Sequence, residues 1–282
     1  MPDAEPLPPP DNALHDARHP TPSAQALQPA ALPPPRPDRR AGRPWGPWAT
    51  AGWTVLLLVV WYALQFGLAL AAGVVLVIAE AAFGTATIHS FYANNRGLVS
   101  VAMLLAAAMP TLGLVLLLST VRGMSIRQYL ALTRPTPKET FGWLMGCLAL
   151  IVTMDIGLRL AGINPVTDYE VTLYTTTPAL PLLFALVVLA PVLEETWWRG
   201  FVYRGLAASK AGPLGAVLLT AVPFALMHTQ YEWPHRLTVL GIGLYLAAVR
   251  WRSGSTVLAM FCHAAINVFY FASTATEVHW LR

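Results

Sequence analysis

The chain has 282 residues, of which 56% are hydrophobic and only 11% charged, with a formal net charge of +4. A soluble domain carries roughly 25% charged and about 45–50% apolar residues, so this composition excludes an ordinary soluble fold, and the modest basic excess argues against a nucleic acid partner. Cys147 and Cys262 both lie in apolar runs and no CxxC is present, which excludes a disulfide framework and predicts two small core hydrophobes.

In chain order, residues 1–47 come first and hold 14 of the 24 prolines, including Pro8–Pro10 and Pro33–Pro35. With few large apolar side chains, such a stretch cannot bury enough surface to fold, and a disordered Pro-rich tail is expected. Its first 30 residues contain no apolar core of a signal peptide. Arg36, Arg39, Arg40 and Arg43 then precede the first apolar run, where Trp45, Trp48 and Trp53 fit an interfacial aromatic belt.

Residues 48–275 read as an all-α transmembrane domain, a polytopic bundle of about seven spanning helices. The apolar runs cover about 52–82, 98–121, 141–161, 179–207, 212–230, 236–250 and 255–273. An eighth span arises if Gly67 or Gly73 breaks the first run, and Pro110 predicts a kink in the second. Arg122, Arg127, Arg134 and Lys138 share one loop, Arg204 and Lys210 a second, and Arg250 and Arg252 a third. The loop 161–178 carries acids and no base. By the positive-inside rule the N-terminus is cytoplasmic. The Ala-, Pro- and Arg-rich composition points to a bacterial inner (cytoplasmic) membrane.

Ionisable residues at membrane depth mark function by default, because each costs about 2.5–3.5 kcal/mol to insert. The fourth run carries Glu194, Glu195 and Arg199. Glu195 and Arg199 are spaced i,i+4 and can neutralise one another. Glu194 points about 100° away on a 3.6-residue helix and is left free for chemistry. The fifth run places Phe224 and His228 on one face, and the seventh does the same with His263 and Asn267. Asp155 and Arg159 read as a self-neutralising structural pair, Trp197 and Trp198 as lipid-facing bulk, and His89, His235 and His279 as loop histidines.

A carboxylate, two imidazoles and an amide suit activation of a water molecule and stabilisation of an oxyanion. They equally suit Zn2+ held by Glu194, His228 and His263. The histidines come from separate helices rather than an HExxH pair, which favours a glutamate-activated water without an obligate metal. Counting about 1.5 Å per residue from the basic loops puts Glu194 at roughly 21 Å, His228 at roughly 26 Å and His263 at roughly 13 Å. These depths do not agree without kinks or tilt.

Glu194-Glu195-x-x-x-Arg199-Gly200, then Phe224-x-x-x-His228, then His263-x-x-x-Asn267 resemble, in order and spacing, the three motifs of the CPBP family, the CAAX prenyl proteases and bacteriocin-processing (Abi) intramembrane proteases. The resemblance covers the motif core at 179–273. It implies an intramembrane endopeptidase acting on a membrane-associated peptide or protein, a prenylated CAAX tail in eukaryotic relatives. It also implies roles: Glu194 and His228 activate the water, His263 and Asn267 hold the oxyanion, and Glu195 with Arg199 positions the helix or assists. The alternatives are a non-catalytic immunity or scaffold protein of the same fold, and an ion-coupled transporter, against which no inverted repeat is evident.

Overall fold

The computed structural model describes residues 42–281. Most of the expected Pro-rich tail, with Arg36, Arg39 and Arg40, lies outside them. The described residues are helical throughout, without strands. The long helices are α1 (Pro47–Phe83), α2 (Thr85–Thr120), α4 (Pro137–Leu160), α6 (Ala179–Ala207), α7 (Gly212–Met227), α8 (Trp233–Ser253) and α9 (Thr256–Thr276). Two short helices, α3 (Ile126–Tyr129) and α5 (Asp168–Thr176), sit in the connections.

α1, α2, α4, α6 and α9 are long and apolar enough to cross a membrane, and α7 is a shorter apolar helix. The protein is an integral membrane protein. Apolar side chains such as Phe66, Leu70 and Val75 face outward along α1, where only a hydrocarbon environment would not penalise them.

Local chemistry sets the boundaries. α4 and α5 each begin with a reciprocal capping box, Thr136 with Glu139 and Thr167 with Glu170. α8 stops at Gly254, whose φ of 68° is the left-handed conformation glycine adopts freely. Gly67 and Gly73 do not break α1, which runs uninterrupted, so the first run does not split into two spans. α2 begins at Thr85, well before the expected 98, and so His89 is helical and pairs with Glu80 at 3.0 Å. His235 lies in the first turn of α8, and His279 in a closing π turn, Glu277–Leu281. Asp155 takes a hydrogen bond from Tyr270 Oη at 3.5 Å rather than pairing closely with Arg159.

α6 is the central rod. It packs against α1 and α2 on one side and against α7, α8 and α9 on the other. The whole stretch Thr196–Val202 is buried. Trp197 and Trp198, expected against lipid, are 2% and 1% exposed and stack with ring centroids 5.5 Å apart. Their rings fill the space between α6 and the outer helices together with Leu57, Trp61 and Val115. A second core joins α4, α8 and α9 around Ile151, Leu246 and Ile266. It contains Cys147 and Cys262 as buried free thiols.

Candidate active site

The site is built on an irregular stretch of α6. A π-helical segment, Phe184–Leu189, leads into one short α-helical piece, Ala190–Glu195, and a second π segment, Thr196–Val202, follows. Both glutamates therefore sit between two widened turns, a type of irregularity frequent at functional sites. Pro191 accounts for part of this. In the π register Ala190 N–H donates to Ala185 O, so the next donor in line for Leu186 O would be residue 191, and proline has none. Asn267 supplies the missing hydrogen bond from α9, with Nδ2 donating to Leu186 O at 2.6 Å.

Glu195 is fully buried, and its Oε1 accepts from Arg199 Nη1 at 3.0 Å and from His263 Nδ1 at 2.9 Å. The expected i,i+4 pair is formed, and it holds His263 as well. Arg199 is also fully buried; its Nη2 donates to Gly243 O at 2.9 Å, and its guanidinium carbon lies 4.4 Å from the centre of the Phe224 ring. Because Nδ1 of His263 is engaged by a carboxylate, Nε2 is the ring atom turned to the remaining space. Glu194 Oε2 faces it at 3.9 Å. That oxygen is buried and has no hydrogen-bond partner, although the Glu194 side chain as a whole is 27% exposed.

His228 follows the last residue of α7, and its backbone N–H turns to Ala225 O. Phe224 O, released by the helix end, is taken by His228 Nδ1 at 2.8 Å. A carbonyl only accepts, so Nδ1 carries the proton and Nε2 has the lone pair in the neutral ring. Phe224 binds the set together. Its ring centroid is 4.8 Å from that of His228 and 6.3 Å from that of His263, the latter edge to face at 84°.

Glu194, His228, His263 and Asn267 line one cavity of about 170 Å³ between α2, α5, α6 and α9. Glu194 and His228 also border a larger chamber of about 480 Å³ whose wall includes Trp61, Tyr92, Met103 and Trp198. The unequal depths counted from the loops are reduced at α9, whose start is drawn into the protein, where Thr256 N donates to Ala131 O at 3.0 Å and Thr256 Oγ1 to Leu130 O at 2.6 Å.

Among the described residues no three His, Cys, Asp or Glu side chains are placed to hold a metal ion.

Sequence reasoning missed Tyr231 and Glu170, which line the same cavity. Thr167-x-x-Glu170 carried a signal as a capping box; Tyr231, beyond the helix end, carried none.

Residues 176–269 match the family described as Rce1-like, type II CAAX prenyl endopeptidase Rce1-like. The matched stretch contains all three motifs and is similar to that family. No curated protein and no solved structure matches the chain.

Proposed function

We propose that this Rce1-like domain is a working intramembrane endopeptidase, hydrolysing a peptide bond in a membrane-associated substrate with water activated by its own side chains. One observation carries the reading. Glu194 Oε2 is a buried oxygen without a partner, 3.9 Å from His263 Nε2, in a cavity shared with His228 and Asn267. An unsatisfied buried acceptor costs about 1–3 kcal/mol. A water molecule within reach of both atoms removes that cost and stands where a general base needs it.

Glu194 takes one proton as the water oxygen attacks the scissile carbonyl carbon, and His228 Nε2 accepts the other water hydrogen and orients the molecule. The oxyanion is met by the second Nδ2–H of Asn267 and by the His263 ring at Nε2. Glu195 and Arg199 fix the His263 ring. Glu194 then returns its proton to the departing nitrogen, the C–N bond breaks, and an acid and an amine leave. The aromatic chamber beside Glu194 supports a substrate with a bulky apolar group, of which a prenylated CAAX tail is one kind.

The test uses the full chain in phosphatidylethanolamine/phosphatidylglycerol vesicles with two internally quenched membrane peptides, one farnesylated and one not. Glu194→Gln is expected to lower cleavage by about 10²–10⁴-fold while peptide binding persists. Equal rates for the two proteins would refute the reading. Binding without cleavage by the unaltered chain would instead support a scaffold.

A further inference from the structure

We infer that Tyr231 is a positioning residue for the His228 imidazole, held in place by Glu170 of α5, so that this short helix takes part in setting the geometry of the water-orienting histidine. The inference rests on the function proposed above.

His228 stands at the end of α7 in a five-residue connection to α8, where a histidine would ordinarily be free to turn. The structure restrains it from two sides. Phe224 is on one side, as described. On the other lies the Tyr231 ring, nearly parallel at 10° with a centroid separation of 6.1 Å. Tyr231 is itself fixed at both ends. Its carbonyl accepts from Arg236 Nε at 2.6 Å, and the same guanidinium takes Thr229 O at 2.9 Å. Its hydroxyl donates to Glu170 Oε1 at 3.4 Å. Tyr169 meets it edge to face, at 6.0 Å and 87°.

Glu170 does two things at once. Oε2 accepts from Thr167 N at 2.8 Å and Thr167 Oγ1 at 3.0 Å, closing the capping box of α5. Oε1 reaches across the cavity to Tyr231. A capping box on an exposed helix needs only the first of these. Burial, with the neighbouring Glu170 carboxylate adding to it, keeps the Tyr231 phenol well above its ordinary value, so the hydroxyl stays a donor across the working pH range. α5 is tied down elsewhere too. Arg96 Nη2 donates to Thr172 Oγ1 at 3.1 Å, Gly97 N donates to Thr176 Oγ1 at 2.9 Å, and Tyr174 pairs with His279 at 3.0 Å. The wall beside His228 is thus anchored to α2, α5 and the closing turn, and not only to its own loop.

A residue that acts through His228 lowers turnover rather than substrate binding, and loses its effect when His228 is gone. The experiment measures kcat and KM for Tyr231→Phe, Tyr231→Ala, His228→Ala and the Tyr231→Ala/His228→Ala double variant, in the vesicle assay with the quenched peptides. Tyr231→Ala is expected to lower kcat at least ten-fold with KM within two-fold. Tyr231→Phe, which keeps the ring and loses the Glu170 link, lowers kcat about three-fold. The double variant is no slower than His228→Ala. A wild-type kcat for Tyr231→Ala beside an impaired His228→Ala overturns this inference alone, as does a loss confined to KM. A wild-type rate for His228→Ala removes the proposed role of His228 in orienting the water, and this inference with it.

A second measurement needs no substrate. In detergent-solubilised protein labelled at histidine Cε1, the His228 resonance, assigned by its loss in His228→Ala, is expected to move in Tyr231→Ala and less in Tyr231→Phe. An unmoved resonance in Tyr231→Ala overturns the inference.

Discussion

The two adjacent glutamates divide the site into a closed half and an open half. Around Glu195 one carboxylate oxygen is doubly engaged: Oε1 accepts from Arg199 Nη1 and His263 Nδ1, and Arg199 Nη2 donates to Gly243 O, all at 3.0 Å or less, while Glu195 Oε2 is buried without a partner. Glu194 Oε2 faces His263 Nε2 at 3.9 Å without a hydrogen-bond partner, and the space beside it belongs to cavities. The same side chain, one residue apart, is structural in one half and available in the other. The helix rotation between neighbouring residues, and what α8 and α9 bring to each face, makes the difference. A low-dielectric interior tolerates a charge when it is paired, and the paired half is what lets the other remain unpaired.

Perturbing the two halves should therefore give opposite signatures. The largest effect is expected on the open side. Glu194→Gln removes the proposed base and little else, so cleavage is expected to fall by about 10²–10⁴-fold while the thermal midpoint in detergent stays within a few degrees of the unaltered chain. A matching loss of stability would show that Glu194 is committed after all. Next comes the closed side: Arg199→Ala leaves Glu195 buried and uncompensated, at a cost of about 3–5 kcal/mol, read as lower unfolding midpoints and poor recovery from the membrane. Asn267→Ala spans both halves. It removes an oxyanion donor, worth about 10²-fold at the lower end for such groups, and strands the Leu186 carbonyl; Asn267→Asp should not restore the rate, because the replacement cannot donate when ionised.

The smallest effect is a pH dependence. Burial holds the Glu170 carboxyl above its ordinary value, with the Thr167 hydrogen bonds opposing the shift. An acid whose pKa is raised by folding adds stability below its unfolded pKa, and that contribution is lost as pH rises through the folded value. The unaltered chain should thus lose some stability as pH climbs from the ordinary carboxylate range through the raised value, and Glu170→Gln should flatten that part of the curve.

Spacing alone made much of the site legible. Four-residue intervals put Glu195 with Arg199 and Phe224 with His228, and both contacts are present, the second through a backbone carbonyl and not merely a shared face. The helical runs were readable because hydrocarbon demands length and apolarity from each one. The vertical match between helices was not, since a count along straight α-helices has no knowledge of a helix start pulled into the core. Trp197 and Trp198 illustrate a second limit. Apolar composition tells that a face avoids water, and inside a membrane it cannot distinguish lipid from protein as the neighbour. Tyr231 shows a third: a side chain placed by a loop obeys contacts from distant elements, and no periodicity announces it.

Pro191 does not line the main cavity, yet it determines what α9 can present there. A helix in which every carbonyl is answered offers a visiting amide nothing to grip. By withholding a single hydrogen, this residue leaves a socket in its own backbone, and the Asn267 side chain is the plug. Slipping α9 by one position would empty the socket at about 1–3 kcal/mol, so the vacancy also checks the register in which the two rods assemble. Giving the hydrogen back, as Pro191→Ala does, would let the helix close over its own oxygen and leave the amide without an anchor.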